Sequence, residues 1–307
     1  MRIIFMGTPG FAVPALDAML RSHHQVVAVV TAPDSLGGRG GRQLIQSEVK
    51  TYAQIHKLKV LQPVKLKAPG FFEELKVLQA DIQVVVAFRM LPEKIWNMPP
   101  LGTINVHGSL LPKYRGAAPI HWAVINGETA TGVTVFRLRH EIDTGDILKQ
   151  NAVPIGPDET TGDVYDKLKD VGARALLEAL AEMERGESHP IPQDPTMISL
   201  APKLYHPDCV LDFSKSRQEL HNYIRGLSPA PAAWFIYKGL KFLLFRSHLP
   251  EVLPPAREPG SLQIMGKKLY LHTIDGAIEI TEIQQESKKR MSAADFINGM
   301  KNYPMFS

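Results

Sequence analysis

Short β-branched runs alternate with helical patterns through the first half of the chain, and few folds accept that alternation. Residues 3–6, 26–31, 60–61 and 82–87 read as strands, with helical patterns at 12–20, 47–56 and 71–78 between them. The run 82–87 is apolar except for Gln83, as expected of a strand covered on both faces. Strand, helix and strand in that order wind a mainly parallel sheet with helices on both faces. The expected fold class is therefore α/β, a Rossmann-like doubly wound, mainly parallel sheet. Strands at 102–107, 131–137 and 147–154, a short helix at 121–125 and a long amphipathic helix at 160–185 complete it.

A chain of 307 residues is comfortable for two domains, and the boundary falls where packing signals stop. Residues 187–195, Glu-Ser-His-Pro-Ile-Pro-Gln-Asp-Pro, favour an extended, semi-rigid connector. The expected division is a catalytic domain at 1–188, a linker at 189–204 and a second domain at 205–307. A helical patch at 216–226 is followed by strand-like runs at 233–237, 241–247, 261–265, 268–273 and 278–283. Tight turns at Lys238-Gly239, Gly266 and Asp275-Gly276 separate several of these runs, which suggests a small C-terminal OB-like β-barrel. Trp234, Phe235 and Tyr237 read as core of that domain rather than as a stacking platform for bases.

The single cysteine, Cys209, excludes an intramolecular disulfide and any cysteine-based metal cluster. The first apolar run is broken at Gly7 and Pro9, too early for an export signal or a membrane span, so a cytoplasmic protein without membrane contact is expected. A formal charge of +4 fits an anionic partner but is shared by many small-molecule enzymes. Residues 205–307 hold 13 basic against 10 acidic side chains, a margin that also suits a solvated surface.

The strongest chemical signal is the segment Asn105-Val106-His107-Gly108-Ser109-Leu110-Leu111-Pro112. The two-residue period of a strand points Asn105 and His107 to one face, at the strand end that borders the ligand crevice of a parallel sheet. Acyl transfer needs a donor for the oxyanion and a group that manages protons on the attacking and leaving nitrogens, which an amide and an imidazole supply. Asp143 joins them as a carboxylate partner of the imidazole if the fold brings it close. The competing reading makes Asn105 and His107 strand caps and Asp143 a turn former beside Gly145. Gly7-Thr8-Pro9-Gly10 stands where a dinucleotide fold carries its glycine fingerprint, yet G-x-G-x-x-G is absent, so no NAD site is expected.

On these residues the chain resembles the methionyl-tRNA formyltransferases, within the folate-dependent formyltransferase group. The resemblance is carried by 1–16, 33–50, 105–119 and 131–148, and continues through 224–229 with Trp234 and through 288–296. It implies Asn105, His107 and Asp143 as the catalytic trio and 10-formyltetrahydrofolate as formyl donor, with no metal. It places Ser109, Leu110, Leu111 and Pro112 against the folate, and Val86, Ala87, Phe88, Arg89, Met90 and Leu91 around the pterin, mostly through backbone groups. It makes initiator methionyl-tRNA the partner, contacted by Arg39 with Arg42 nearby in the glycine-rich loop; separately, the Lys288, Lys289 and Arg290 run offers a basic face for its phosphates, and a monomer is expected. The trio is common to enzymes that formylate amino-sugar nucleotides, so that alternative and a non-catalytic RNA-binding relative remain open here. Two departures from the family pattern are Gly10, where an acidic residue is common, and Leu36-Gly37, where Pro-Ala is usual.

Overall fold

The computed structural model describes residues 1–37 and 43–300. In chain order, its elements begin with β1 (Arg2–Gly7), α1 (Val13–Arg21), β2 (Gln25–Val30), β3 (Ser35–Gly37), β4 (Gln43–Ile45), α2 (Glu48–Ile55), β5 (Val60–Leu61), α3 (Pro69–Lys76) and β6 (Ile82–Val86). They continue with α4 (Glu93–Trp96), β7 (Thr103–His107), β8 (Arg115–Gly116), α5 (Pro119–Ile125), β9 (Ala130–Arg137), β10 (Ile147–Pro154), α6 (Thr161–Glu184), β11 (Leu200–Ala201) and α7 (Arg217–Gly226). The last are β12 (Ala233–Tyr237), β13 (Leu240–His248), β14 (Leu262–Met265), β15 (Lys268–Thr273), β16 (Gly276–Gln285), β17 (Met291–Ser292) and α8 (Ala293–Met300). Two compact units result: the first comprises Met1–Gly116, Gly132–Val153 and Tyr165–Leu200, and the second Ala117–Thr131, Pro154–Val164 and the chain from Ala201. Among the described residues, no helix is long and apolar enough to cross a membrane.

The first unit is built on a seven-stranded sheet of order β10-β9-β7-β6-β1-β2-β5. The pairs β1/β2, β1/β6, β2/β5 and β6/β7 are parallel, as the alternating pattern predicts, whereas β9 runs antiparallel to β7. Every residue of β6 is buried, in keeping with its continuous apolar run. Ile4 and Met6 pack with Val30, Phe71, Leu75 and Ile95 on one face of the sheet, and strand alternation sends the fully buried Ile3 and Phe5 to the other. On that second face α6 approaches β7 at Gly172, where an added Cβ would already stand 3.2 Å from Val106 Cγ1. Helix starts follow local rules: Ser47 caps α2 by accepting the Lys50 N–H, and α1, α3 and α5 carry proline in their first turn.

The glycine-rich basic loop is flanked by more regular structure than its composition implies. Ser35, Leu36 and Gly37 pair antiparallel with Ile45, Leu44 and Gln43. At the base of this pair the Asp34 carboxylate accepts from Gln62 and from Lys50. Arg39 and Arg42 lie outside the described residues.

In the second unit β12, β13, β16, β15 and β14 form an antiparallel sheet in that order, with β17 added on β16. Phe235, Phe242, Leu244, Leu269, Leu271 and Ile280 supply its core, each fully buried aromatic contributing about 1.5–3 kcal/mol of transfer free energy. Of the three aromatics expected in this core only Phe235 is fully buried; Trp234 and Tyr237 pack against its margin half-exposed. The helix α7 begins at a capping box of Ser216 and Glu219 and lays Leu220 and Ile224 on the sheet. The helix α8, which the sequence reading did not anticipate, closes the core with Phe296 and Ile297.

Buried imidazoles give this unit an acid-sensitive stability. His221 donates through Nε2 to the Pro157 carbonyl and faces Ser247 Oγ through Nδ1; His272 meets Gln263 Oε1 through Nε2. Burial pushes the pKa of both below the ordinary histidine range. The unfolded chain therefore binds protons first as pH falls below about 6.5, and stability that is complete above that pH is lost below it. Each such histidine sets a slope of at most about 1.4 kcal/mol per pH unit. Thermal denaturation between pH 7.5 and 5.5 is expected to show a falling Tm, with a shallower fall in His221→Gln; a Tm equal at both pH values would contradict this account.

Candidate active site

The site grows from the end of β7. Ile104 and Val106 are buried on the α6 side, and alternation turns Asn105 and His107 to the other face. The pairing of β7 with β9 sets Phe136 opposite Asn105 and Thr134 opposite His107. The Phe136 ring meets the imidazole edge-on, with centroids 6.5 Å apart.

His107 Nε2 donates to the Tyr114 carbonyl at 2.9 Å. A carbonyl only accepts, so this bond puts the proton of the neutral ring on Nε2 and leaves Nδ1 for proton exchange. Asp143 Oδ2 lies 3.7 Å from Nδ1, and the two side chains are buried, with residue exposures of 7% and 8%. A proton taken up at Nδ1 thus faces a carboxylate across a gap shielded from bulk water.

Asp143 is held in place by main chain. Its Oδ2 accepts the Gly116 N–H at 2.9 Å, while Gln193 Nε2 donates to the carbonyls of Asp143 and Gly145 at 2.9 and 2.8 Å. The residue sits at φ +55°, a left-handed conformation that aspartate tolerates better than most side chains. Gln193 also accepts two bonds from the Arg115 guanidinium. Sequence reasoning missed Tyr114, Gly116 and Gln193: two act through peptide groups, and Gln193 lies in the stretch read as a connector.

Asn105 is half-buried, and among the described residues its side chain has no hydrogen-bond partner, so its amide is available to a ligand. The following loop is self-bonded. Ser109 Oγ donates to the Lys113 carbonyl, and Thr134 Oγ1 donates to the Ser109 carbonyl while accepting from the Leu111 N–H and Gln150. Leu111 packs with Phe136 and Ile147, Leu110 lies over Gly132, and Pro112 accepts from the Ser199 N–H. In the segment after β6, Val86 and Leu91 are buried, Ala87 and Met90 are exposed, and Phe88 and Arg89 are half-buried. No peptide group of Phe88, Arg89 or Met90 makes a hydrogen bond among the described residues. Arg89 donates to the carbonyls of Pro63 and Val64, leaving its buried Nε without a partner. A cavity of about 510 Å³ lined by Leu61, Pro63, Lys65 and Phe71 opens beside those carbonyls, and none of the trio lines it.

At the first turn, an added Cβ on Gly10 would stand 3.9 Å from the Glu48 carboxylate, so an acidic side chain there would meet a like charge. In the second unit, Arg290 is held by both Glu282 oxygens and lies over the Phe245 ring, whereas exposed Lys288 and Lys289 form no ion pair among the described residues.

The family model described as formyl transferase matches residues 1–180, and the model described as formyl transferase, C-terminal domain, matches 203–301. A methionyl-tRNA formyltransferase of Porphyromonas gingivalis is 46% identical over 311 residues, covering 97% of this chain and 95% of the relative. The chain belongs to the methionyl-tRNA formyltransferase family. Family members from Parabacteroides distasonis, at 45% over 98% of this chain and 96% of the relative, and Flavobacterium johnsoniae, at 44% over 98% and 96%, are similar to the same extent. Among solved structures, HypX from Aquifex aeolicus in complex with tetrahydrofolic acid superposes with TM-score 0.69 at 19% identity over 98% of this chain, which spans 48% of the HypX chain. An N-formyltransferase from Helicobacter canadensis, complexed with folinic acid and dTDP-3-aminofucose, gives 0.68 at 20% identity over 91% of this chain and 98% of its own. At these identities the two structures support the fold of the family alone.

Proposed function

We propose that this chain transfers the formyl group of 10-formyltetrahydrofolate to the amino group of methionine on initiator methionyl-tRNA. The observation that carries the reading is a likeness to methionyl-tRNA formyltransferases of 46% identity over 97% of the chain. It falls on a chain in which Asp143 faces His107 and the Asn105 amide has no hydrogen-bond partner among the described residues.

The neutral α-amine attacks the formyl carbon, forming a C–N bond while the bond from that carbon to N10 breaks. Asn105 donates to the developing oxyanion. His107 accepts the amine proton at Nδ1, faces Asp143 while charged, and returns the proton to N10, so tetrahydrofolate leaves with N10 protonated. The peptide groups of Phe88, Arg89 and Met90, unpaired among the described residues, suit the alternating donors and acceptors of a pterin edge, and the orphaned Arg89 Nε adds a donor nearby. Lys288 and Lys289, together with Arg39 and Arg42, provide cations for the tRNA backbone, and binding through them weakens with salt. All three members of the trio come from one chain, so a monomer suffices for the reaction, and no step requires a metal; the cytoplasm, where initiator tRNA is used, is the proposed place of action.

The test is formyl transfer from 10-formyltetrahydrofolate to initiator methionyl-tRNA, with elongator methionyl-tRNA, free methionine and an amino-sugar nucleotide in parallel. Transfer confined to the initiator is expected. Transfer to the sugar nucleotide alone, or to no acceptor, would overturn the reading.

A further inference from the structure

Away from the reaction centre, residues from two distant stretches of the first unit meet as a donor cluster. His23 and His24 lie in the turn between α1 and β2, and Glu184 is the last residue of α6. Their ligating atoms all lie within 4.8 Å of one another, with His23 Nε2 2.7 Å from Glu184 Oε2. From this geometry we infer that His23, His24 and Glu184 form a binding site for one divalent transition-metal ion of the zinc class.

The donor chemistry selects the ion. Two imidazoles and one carboxylate suit Zn²⁺, Ni²⁺ or Cu²⁺ and not Mg²⁺ or Ca²⁺, which take oxygen ligands. Three protein ligands leave the fourth tetrahedral position to water. The turn is preorganised: Ser22 Oγ donates to the Met19 carbonyl and accepts the His24 N–H, which fixes the backbone that carries both rings. His24 is buried, and its Nδ1 accepts from the Met1 ammonium at 3.4 Å, so an incoming metal ion has to displace that ammonium from the ring nitrogen.

Helix electrostatics do not account for Glu184. A carboxylate at the C-terminal end of a helix opposes the macrodipole, and no basic residue of α6 lies in its last turn. In the structure that placement is offset by the Met1 ammonium, 3.6 Å from Glu184 Oε1, and by His23 at Oε2, so a metal ion bound by the three side chains takes the place of the ammonium as the local cation. The ion would tie the end of α6 to the start of β2, linking segments separated by 161 residues of chain. His24 immediately precedes β2, whereas His107 ends β7, and the intervening strand pairs are parallel. The cluster therefore lies at the N-terminal ends of the parallel strands, opposite the C-terminal end that carries His107, and the ion takes no part in acyl transfer.

The test is titration of metal-stripped full-length protein with Zn²⁺ against a chromophoric chelator, with Mg²⁺ as control. One equivalent is expected to bind, with a Tm gain of about 5 °C or more at a hundredfold excess over Kd. Loss of an outer-shell partner alone weakens metal sites about 10–100-fold, so His23→Ala and Glu184→Gln are each expected to weaken binding by at least that factor. His189→Ala, an exposed histidine elsewhere, leaves binding unchanged. Absence of a bound equivalent, or binding that persists undiminished in His23→Ala and Glu184→Gln, would show only a surface ion pair and overturn the site.

Discussion

Replacing His107 by asparagine is expected to slow formyl transfer by about 10²–10⁴-fold, the usual contribution of a positioned proton-transfer group. The loss should fall on kcat, because the structure gives Nδ1 no role in anchoring the loop. The anchor is Nε2, whose bond to the Tyr114 carbonyl is worth about 0.5–1.5 kcal/mol, so the variant should remain folded. Asn105→Ala removes a donor with no partner among the described residues, so it should leave Tm nearly unchanged and cost about 10²–10³-fold in turnover. Asp143→Asn separates charge from geometry. Its amide oxygen can still accept the Gly116 N–H, and asparagine tolerates the left-handed backbone, while the charge facing Nδ1 disappears. Single-turnover rates with 10-formyltetrahydrofolate and methionyl-tRNA would decide the matter, and wild-type turnover in His107→Asn would remove the imidazole from the mechanism.

These residues also mark how far a sequence can be read. Asn105 and His107 were legible because a strand's period is a property of covalent geometry, and β6 because a strand buried on both faces must be apolar throughout. The direction of β9 was not legible, since periodicity is the same for parallel and antiparallel neighbours. The approach of Asp143 to His107 could be expected only through family resemblance. It depends on a positive φ, on the Gly116 N–H and on a Gln193 amide fifty residues further along the chain. Peptide groups are present at every position, so a site built on the Tyr114 carbonyl and the Gly116 N–H leaves no mark in residue identity. For the Lys288, Lys289 and Arg290 run the sequence offers charge alone, and it does not show that the fold also pairs the exposed Arg290 guanidinium with Glu282.

The second large effect is expected far from any reacting atom, at Gly145. A Cβ there would stand 1.5 Å from the Arg137 carbonyl oxygen and 2.7 Å from its carbon. Both are main-chain atoms of β9, so no side-chain rotation relieves the clash and the 143–146 loop must move. That movement strains the bond from the Arg137 N–H to the Asp146 carbonyl and the bond from Gln193 to Gly145. Overpacking that forces backbone shifts costs about 1–3 kcal/mol and occasionally more, and here Asp143 is displaced from His107 as well. Gly145→Ala should therefore lower Tm by several degrees and reduce formyl transfer in the folded fraction. Gly70→Ala is the matched control: it adds the same methyl group in α3, where nothing lies within 4 Å, and helix propensity predicts a neutral or slightly stabilising change. If both alanine variants melted and turned over like the parent, the packing of the loop on β9 would not be what positions the carboxylate. The alignment of Asp143 would then have to rest on the Gly116 and Gln193 hydrogen bonds alone.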